Sequence, residues 1–389
     1  MAGSWGEVKL GAHSGPQVKD WVVNPRERLL GTIRGGKVDR VPLLLHDFHY
    51  ASPEDVEEAA KRPIVERMLD ETHFLVSFPA FINRYLVTPP QRIREVSREE
   101  RNGETTTVSE IDTPKGPLTA VTGTNRVSRT TWTLKYPVES LEDIEKIRSV
   151  PWEMPPDLRP PDLTNVPAAF ETRGVAHTGV SSPFVCVAGM MPYEFFLGLC
   201  NTHLGLLEEL TAQCLERILE VLEVLLSTRV IDLVWMGGCE WLTPPMGAMA
   251  HYEALVQRFE TPIIERIHAA GALSHVHCHG NVRSTLEMVR ARCADYFEPV
   301  EPPPDGDITF AEAKALANGG MTLGGNIESR ILVHGDAATV ERAARCAFEG
   351  GKERMALQTS EGPLQPLTPG MSANYHTLID VWEELSAIP

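Results

Sequence analysis

Eight short, apolar, β-rich runs alternate along this chain with segments of helical periodicity, and this alternation limits the fold more than any other feature. The runs are residues 41–45, 73–78, 175–180, 231–236, 273–277, 296–300, 321–323 and 355–358. Between the later runs, apolar residues recur at steps of three and four, as at Leu207, Leu210, Cys214, Ile218, Val221 and Leu225. Such spacing marks one buried face of a helix. Strands that alternate with helices in this way predict a single (β/α)8, or TIM, barrel.

Two segments fall outside this alternation. Residues 92–136 alternate threonine and valine around Pro-Lys-Gly and Gly-Thr-Asn turns, which predicts an antiparallel β-ribbon inserted after strand two. Residues 1–23 are expected to form a mobile arm, so that the barrel itself spans residues 24–389. Its first helix is expected to begin with Asn24 as cap and Pro25 in its first turn.

The bulk composition narrows the classes of partner. The formal net charge is −17, from 36 basic and 53 acidic residues, which argues against nucleic acid or an anionic membrane surface and favours small molecules or proteins. The seven cysteines are scattered and form no Cys-x-x-Cys, so a reducing cytoplasm is the expected compartment. The sequence shows neither a signal-like apolar stretch at its start nor an apolar run long enough to span a membrane.

Polar side chains gather where the predicted strands end, and in barrels of this type the chemistry lies on the loops after the strands. The strand ends carry His46, Asp47 and His49 (strand one), Ser181 and Ser182 (three), Glu240 and Trp241 (four), His277 and His279 (five), Glu298 and Glu301 (six), Asn326 (seven) and Glu361 (eight). We expect His46, His49, Asn326 and Trp241 to line a substrate pocket. Glu240 and Asp47 are the expected acid–base groups.

His277 and His279 are the predicted core of a metal site. Two histidines at i and i+2 project to the same side of a strand, and Glu361 approaches from strand eight, so the three side chains are expected to converge on zinc. Glu240 is a substitute or fourth ligand. Cys278 should point the opposite way and pack in the core, and His275 is expected to be a hydrogen-bonded interior histidine. The alternatives are a backbone-bonded turn residue for His279 and salt-bridged loop carboxylates for Glu240 and Glu361.

Four sequence motifs together resemble the uroporphyrinogen decarboxylase superfamily over residues 24–389. They are the stretch 24–42 (Asn-Pro-Arg-Glu-Arg-Leu-Leu-Gly-Thr-Ile-Arg-Gly-Gly-Lys-Val-Asp-Arg-Val-Pro), His277-x-His279-Gly280, Gly306-Asp307-Ile308 and Gly325-Asn326-Ile327. True decarboxylases of the family carry an Arg-Gln-Ala-Gly-Arg segment after strand one that grips substrate carboxylates. Here that place reads His46-Asp47-Phe48-His49-Tyr50, without arginine. The arginines whose guanidinium groups would bind the carboxylates of a porphyrinogen are therefore missing from this segment.

The other branch of the superfamily consists of zinc-dependent, corrinoid-linked methyltransferases. Their metal motif is similar to His-x-Cys-Gly after strand five, with a further cysteine after strand eight. His277 matches the histidine, His279 stands at the first cysteine position, and Glu361 lies near the second. Thiolate ligands make zinc electron-rich, which suits the activation of a thiol substrate. A site of two histidines and a glutamate is harder, leaves more positive charge on zinc and suits an oxygen ligand.

The resemblance therefore implies a zinc methyltransferase that takes a methyl group from a small methylated compound, for example a methyl ether. The methyl group would pass to the cobalt of a separate corrinoid (cobalamin) protein, with Glu240 or Asp47 protonating the leaving oxygen. The alternatives are a zinc-dependent hydrolase or lyase, and a metal-free or decarboxylating relative. A homodimer remains an open option for its assembly.

Overall fold

The structure, a computed structural model, describes residues 23–81, 85–125, 131–363 and 365–389. The expected N-terminal arm lies outside the described residues, apart from Val23. Within them, eight strands form one parallel sheet: β1 (Leu43–Leu44), β2 (Phe74–Ser77), β7 (Gly174–Ser181), β8 (Leu233–Gly237), β9 (Leu273–His277), β10 (Tyr296–Val300), β11 (Thr322–Ile327) and β12 (Met355–Thr359). Four more form an antiparallel sheet: β3 (Ile93–Arg101), β4 (Glu104–Ile111), β5 (Leu118–Asn125) and β6 (Thr131–Lys135).

The parallel strands follow the order β1-β12-β11-β10-β9-β8-β7-β2. This is the strand order of a (β/α)8 barrel, but the described residues form no ladder between β1 and β2, so the sheet is not hydrogen-bonded into a closed ring at this seam. The α-helices are α1 (Pro25–Ile33), α2 (Arg62–Met68), α3 (Leu141–Arg148), α4 (Phe170–Arg173), α5 (Pro183–Ala188), α6 (Tyr193–Thr202), α7 (Leu204–Leu226), α8 (Met249–Tyr252), α9 (Arg258–Ala269), α10 (Leu286–Ala291), α11 (Phe310–Ala317), α12 (Ser329–His334), α13 (Ala337–Phe348) and α14 (Pro369–Leu385). The protein therefore has the predicted α/β fold.

Strand β11 is longer than the sequence predicted. The apolar run ended at residue 323, but β11 continues through Gly324 and Gly325 to Ile327. A side chain at Gly324 would collide with the Tyr296 hydroxyl, and a Cβ at Gly325 would lie 2.9 Å from the carbonyl oxygen of Val300. These glycines thus serve close packing against β10 rather than a turn.

Helix α1 closes the amino-terminal end of the parallel strands. Asn24 caps the helix as predicted, and Glu27 completes a capping box with it. Leu29, Leu30 and Ile33 pack in one cluster with residues from the strands, namely Val175, Leu233, Leu273, Tyr296 and Ala356. A salt bridge of 2.6 Å joins Arg26 at the start of α1 to Asp232 just before β8. The floor of the barrel is therefore a helix with an apolar face.

The inserted segment forms a four-stranded meander, as predicted for an antiparallel ribbon. β4 pairs with both β3 and β5, and β5 pairs with β6. Ile111 and Leu118 anchor it to the main core, while most of β3 is exposed. Residues 126–130 lie outside the described part of this ribbon. In the described chain, no helix is both long and apolar enough to cross a membrane.

Candidate functional site

The site is built from side chains that point into the barrel. Leu233, Leu273 and Val175 belong to the floor cluster, so every second residue after them also faces inward. This alternation brings a polar layer above the apolar floor. Its members are His177 (β7), Trp235 (β8), His275 and His277 (β9), Glu298 (β10) and Gln358 (β12).

Glu298 is the centre of this layer, and it has no solvent exposure. Its Oε1 accepts from His275 Nε2 and from His277 Nδ1, each at 2.7 Å. Its Oε2 accepts from Gln358 Nε2 at 2.8 Å. Burial by itself raises the pKa of Glu298, but the two imidazoles hold that pKa well below its usual range. Glu298 is therefore a buried carboxylate that orients two histidines.

His277 and His279 meet edge to face, with ring centroids 4.6 Å apart and an interplanar angle of 83°. Each ring directs its Nδ1 at a different carboxylate. His277 Nδ1 bonds Glu298, and His279 Nδ1 lies 3.2 Å from Glu301 Oε1. Burial lowers the pKa of both imidazoles, but these carboxylates raise it to above the usual value. The Nε2 atoms of both rings are left without a protein partner among the described residues.

Glu240 and Glu361 both lie within electrostatic reach of His279. Glu240 sits in a 3-10 turn after β8 (Cys239–Leu242), and its buried Oε2 has no hydrogen-bond partner in the described structure. Burial raises the pKa of Glu240, while His277 and His279 act against this rise. Burial likewise raises the pKa of Glu361, and His279 opposes it. Both carboxyl groups therefore have a higher pKa than an exposed glutamate.

The expected ligand triad is only partly assembled. Among the residues that the structure describes, no group of three histidine, cysteine, aspartate or glutamate side chains could hold a metal ion as it stands. His277 and His279 are in contact, whereas Glu361 is not drawn into a cluster with them. The donors nevertheless fit zinc, because imidazole nitrogen and carboxylate oxygen are its usual ligands. Carboxylates such as Glu298 and Glu301, bonded to the second ring nitrogen, commonly orient metal-binding histidines.

The predicted phase of β9 is confirmed by Cys278 and His275. Cys278 is 1% exposed and packs in the core on the side of β9 that faces away from the two histidines. His275 lies in the interior and is hydrogen-bonded to Glu298, as expected. Its Nδ1, however, is buried without a partner in the described structure.

Most of the other predicted site residues lie at the carboxyl-terminal end of the strands, the same end as His277 and His279, which we call the opening. His46 is fixed by Thr359 through its backbone N–H and its Nδ1, and its Nε2 lies 3.4 Å from the Gln358 amide. Asn326 faces inward on β11 beside Gln358. Asp47 lies at the rim with its side chain 57% exposed, 3.9 Å from the Lys61 ammonium. Trp241 follows Glu240 in the same 3-10 turn, and its carbonyl accepts from the Tyr193 hydroxyl at 2.6 Å.

The structure does not bring His49 to this opening, and its expected place in the pocket is corrected. The chain turns at Asp47, whose φ is 66°, and then runs back along the seam towards the amino ends of the strands. There the His49 ring stacks on His73 at 4.6 Å and bonds the His73 carbonyl oxygen. Burial lowers the pKa of His49 to about 4. His49 is a packing residue next to the start of β2.

A cleft of about 830 Å³ lies at the opposite end of the molecule, near Met321 and Arg354 at the starts of β11 and β12. Two of its cationic side chains are already hydrogen-bonded to backbone carbonyl groups. The Lys314 ammonium donates to the Gly351 carbonyl at 2.6 Å, and that of Lys352 to the Ala387 carbonyl at 2.7 Å. This cleft is remote from the polar layer, and we assign it no part in the chemistry.

Comparison with solved structures finds the same fold in a methyltransferase from Methanosarcina mazei. The TM-score is 0.58 at 15% sequence identity, over 93% of this chain and 99% of the other. A B12-independent methionine synthase from Shewanella sp. W3-18-1, solved in complex with selenomethionine, is a weaker likeness, with a TM-score of 0.40, 12% identity and coverage of 76% and 75%. No protein-family model matches the chain, and no curated protein matches it. At this identity the first neighbour shows a shared fold.

Proposed function

We propose that the chain is a zinc-dependent methyltransferase that takes a methyl group from a small methylated compound, such as a methyl ether, and passes it to a separate corrinoid protein. The observation that carries the proposal is the pair His277 and His279. Their rings are in contact, and each has its Nδ1 on a carboxylate, while no described residue bonds either Nε2. The fold shared with a methyltransferase supports the class of reaction.

Each residue of the site has a role in this proposal. His277 and His279 hold the metal through Nε2, with Glu361 as the third ligand and Glu240 as its substitute. Bound zinc would supply a Lewis acid for the oxygen that carries the methyl group. Glu240, which lies within electrostatic reach of His277 and His279 and whose pKa burial raises, is the group that would donate a proton to the leaving oxygen. Asp47, mostly exposed and close to Lys61, is the weaker choice for this acid.

The inward-facing residues argue against the decarboxylase alternative. At the inward positions of the eight described strands there is neither lysine nor arginine. A porphyrinogen with several carboxylates that entered the strand layer would therefore meet Glu298 without a lysine or arginine on the described strands to pair with, which is a costly way to bury a charge.

Zinc content of purified variants tests the proposal. We expect about one zinc per chain in the wild type and in Cys278→Ala, because Cys278 points into the core. His279→Ala should lose the zinc, together with methyl transfer from a methyl ether to free cob(I)alamin, a small substitute for the corrinoid protein. Both variants are checked by circular dichroism for an intact fold.

Two outcomes would contradict the proposal. Zinc lost from Cys278→Ala alone would mean that sulfur, not imidazole, binds the metal. Release of methanol from the ether without any corrinoid would favour the hydrolase alternative.

A further inference from the structure

The cleft near the starts of β11 and β12 has a volume of about 830 Å³, which is enough for a small organic molecule. Among the described residues, no side chain of its lining is aromatic or carries a hydroxyl or an amide. The cleft therefore lacks the groups that would hydrogen-bond the hydroxyls of a sugar or the edges of a nucleobase. Its apolar lining consists of small and aliphatic residues, namely Ala311, Ala315, Ala317, Met321, Leu323 and Ile388.

Three cationic side chains, those of Lys314, Lys352 and Arg354, line the same cleft. They meet at the segment 351–354 between α13 and β12, because the Lys314 ammonium bonds the Gly351 carbonyl. Lys352 and Arg354 likewise donate to backbone carbonyl groups, and none of the three has a carboxylate partner in the described chain. Since lysine and arginine each have several N–H donors, every one of these cations keeps a donor for a ligand.

The fold does not fully compensate these positive charges. Burial lowers the pKa of Lys314 to about 8, although Glu353 opposes this shift. Burial also lowers the pKa of Arg354, with Asp295 acting against it. The carboxylates of Glu353 and of Pro389, the last residue, border the cleft, but neither forms an ion pair with the three cations in the part of the chain that the structure describes. A negatively charged group that entered the cleft would therefore stabilise the protonated side chains.

We propose that this cleft is a binding site for a small phosphate ester with an apolar body. A phosphate monoester carries a charge of about −1.5 to −2 at pH 7 and has three oxygens that accept hydrogen bonds, so it suits several cations better than a carboxylate does. The phosphate group bonds Lys314, Lys352 and Arg354, and the body lies on the aliphatic lining. Because the cleft lies at the opposite end of the strands from His277 and His279, this site does not depend on the proposed function.

The binding of four probes tests the ligand class. Calorimetry is performed on the full-length protein from which zinc has been removed, so that no phosphate binds through the metal. We expect phenyl phosphate to bind at least fivefold more tightly than each of the other probes. These are benzyl alcohol, which has no charge, benzoate, which has a single charge, and ribose 5-phosphate, whose body is polar. A smaller difference from any of the three would overturn the proposal.

Variants of the lining show whether the phosphate binds in this cleft. The phosphate preference is the ratio of the dissociation constants of benzyl alcohol and phenyl phosphate. Arg354→Gln and Lys314→Gln should each lower this ratio at least threefold, because each removes a positive charge. The matched control is Arg342→Gln at an exposed position of α13, which should leave the ratio unchanged. Ala315→Trp, at an exposed position of α11, fills the cleft and should abolish the binding of both probes.

Circular dichroism and the melting temperature show which variants are folded. Lys314→Gln decides the matter if Arg354→Gln, which also loses its bond to the Ile33 carbonyl, does not fold. An unchanged ratio in a folded charge variant would overturn the proposal, because the phosphate would then bind elsewhere. Undiminished binding of phenyl phosphate to folded Ala315→Trp would overturn it as well.

Discussion

At the residue scale, Glu298 organises the site, although the proposed reaction gives it no contact with the methyl donor or the acceptor. It is fully buried, and it bonds His275, His277 and Gln358 at once. A carboxylate in this position fixes which nitrogen of His277 carries the proton, and so which one is free for a ligand.

We predict that Glu298→Gln lowers the affinity for zinc by about 10- to 100-fold, because the amide orients His277 less firmly and makes its imidazole less basic. Competition with a chromophoric chelator measures the affinity. Glu287→Gln on the surface of α10 is the matched control and should leave it unchanged. An affinity within twofold of the wild type would show that Glu298 does not support the metal site.

The sequence predicted His277 and His279 but not their carboxylate partners. The histidines could be found because two residues at i and i+2 on one strand share a side whatever the neighbouring strands are. Glu298 and Glu301 stood among the strand-end residues, yet their pairing depends on β10 lying beside β9 in a given register. His49 was misplaced for a related reason, since the turn at Asp47 decides where the following residues go.

At the element scale, the short helix α1 contributes to stability because it packs against the amino-terminal ends of several strands at once. The sequence predicted its start from Asn24 and Pro25, and the capping box confirms it. Its place under the barrel could not be predicted, because it depends on contacts with strands that lie far away along the chain.

We predict that Leu29→Ala lowers the free energy of unfolding by about 2–5 kcal/mol, since it leaves a cavity in the barrel floor. The matched control is Leu141→Ala at the exposed start of α3, which should change it by less than about 0.5 kcal/mol. Chemical denaturation of the two variants measures both values. Similar losses in the two variants would mean that α1 does not seal the floor.

At the scale of the whole molecule, buried neutral histidines make the fold sensitive to acid. The pKa of His49 is lowered to about 4, mainly by burial, whereas in the unfolded chain it is about 6.5. The unfolded state therefore binds a proton first. The contribution of His49 to stability is complete above pH 6.5 and is lost as the pH falls towards 4.

We predict that the melting temperature falls between pH 7 and pH 4, and that it falls less steeply in His49→Gln. Glutamine can still donate a hydrogen bond to the His73 carbonyl but does not take up a proton. Differential scanning calorimetry over this range measures the slope, and the exposed His203→Gln should follow the wild type. Parallel curves for all three proteins would remove His49 from the explanation.

The helix beneath the barrel also has a kinetic consequence. Because α1 covers the amino-terminal end of the strands, the small donor, the demethylated product and the corrinoid protein of the proposed reaction would all use the opening at the carboxyl-terminal end. A corrinoid protein bound at that opening would block the passage of small molecules. Turnover should therefore follow a compulsory order in which the donor binds first and the product escapes only after the acceptor has withdrawn, and product inhibition by the demethylated compound should be competitive with the donor alone.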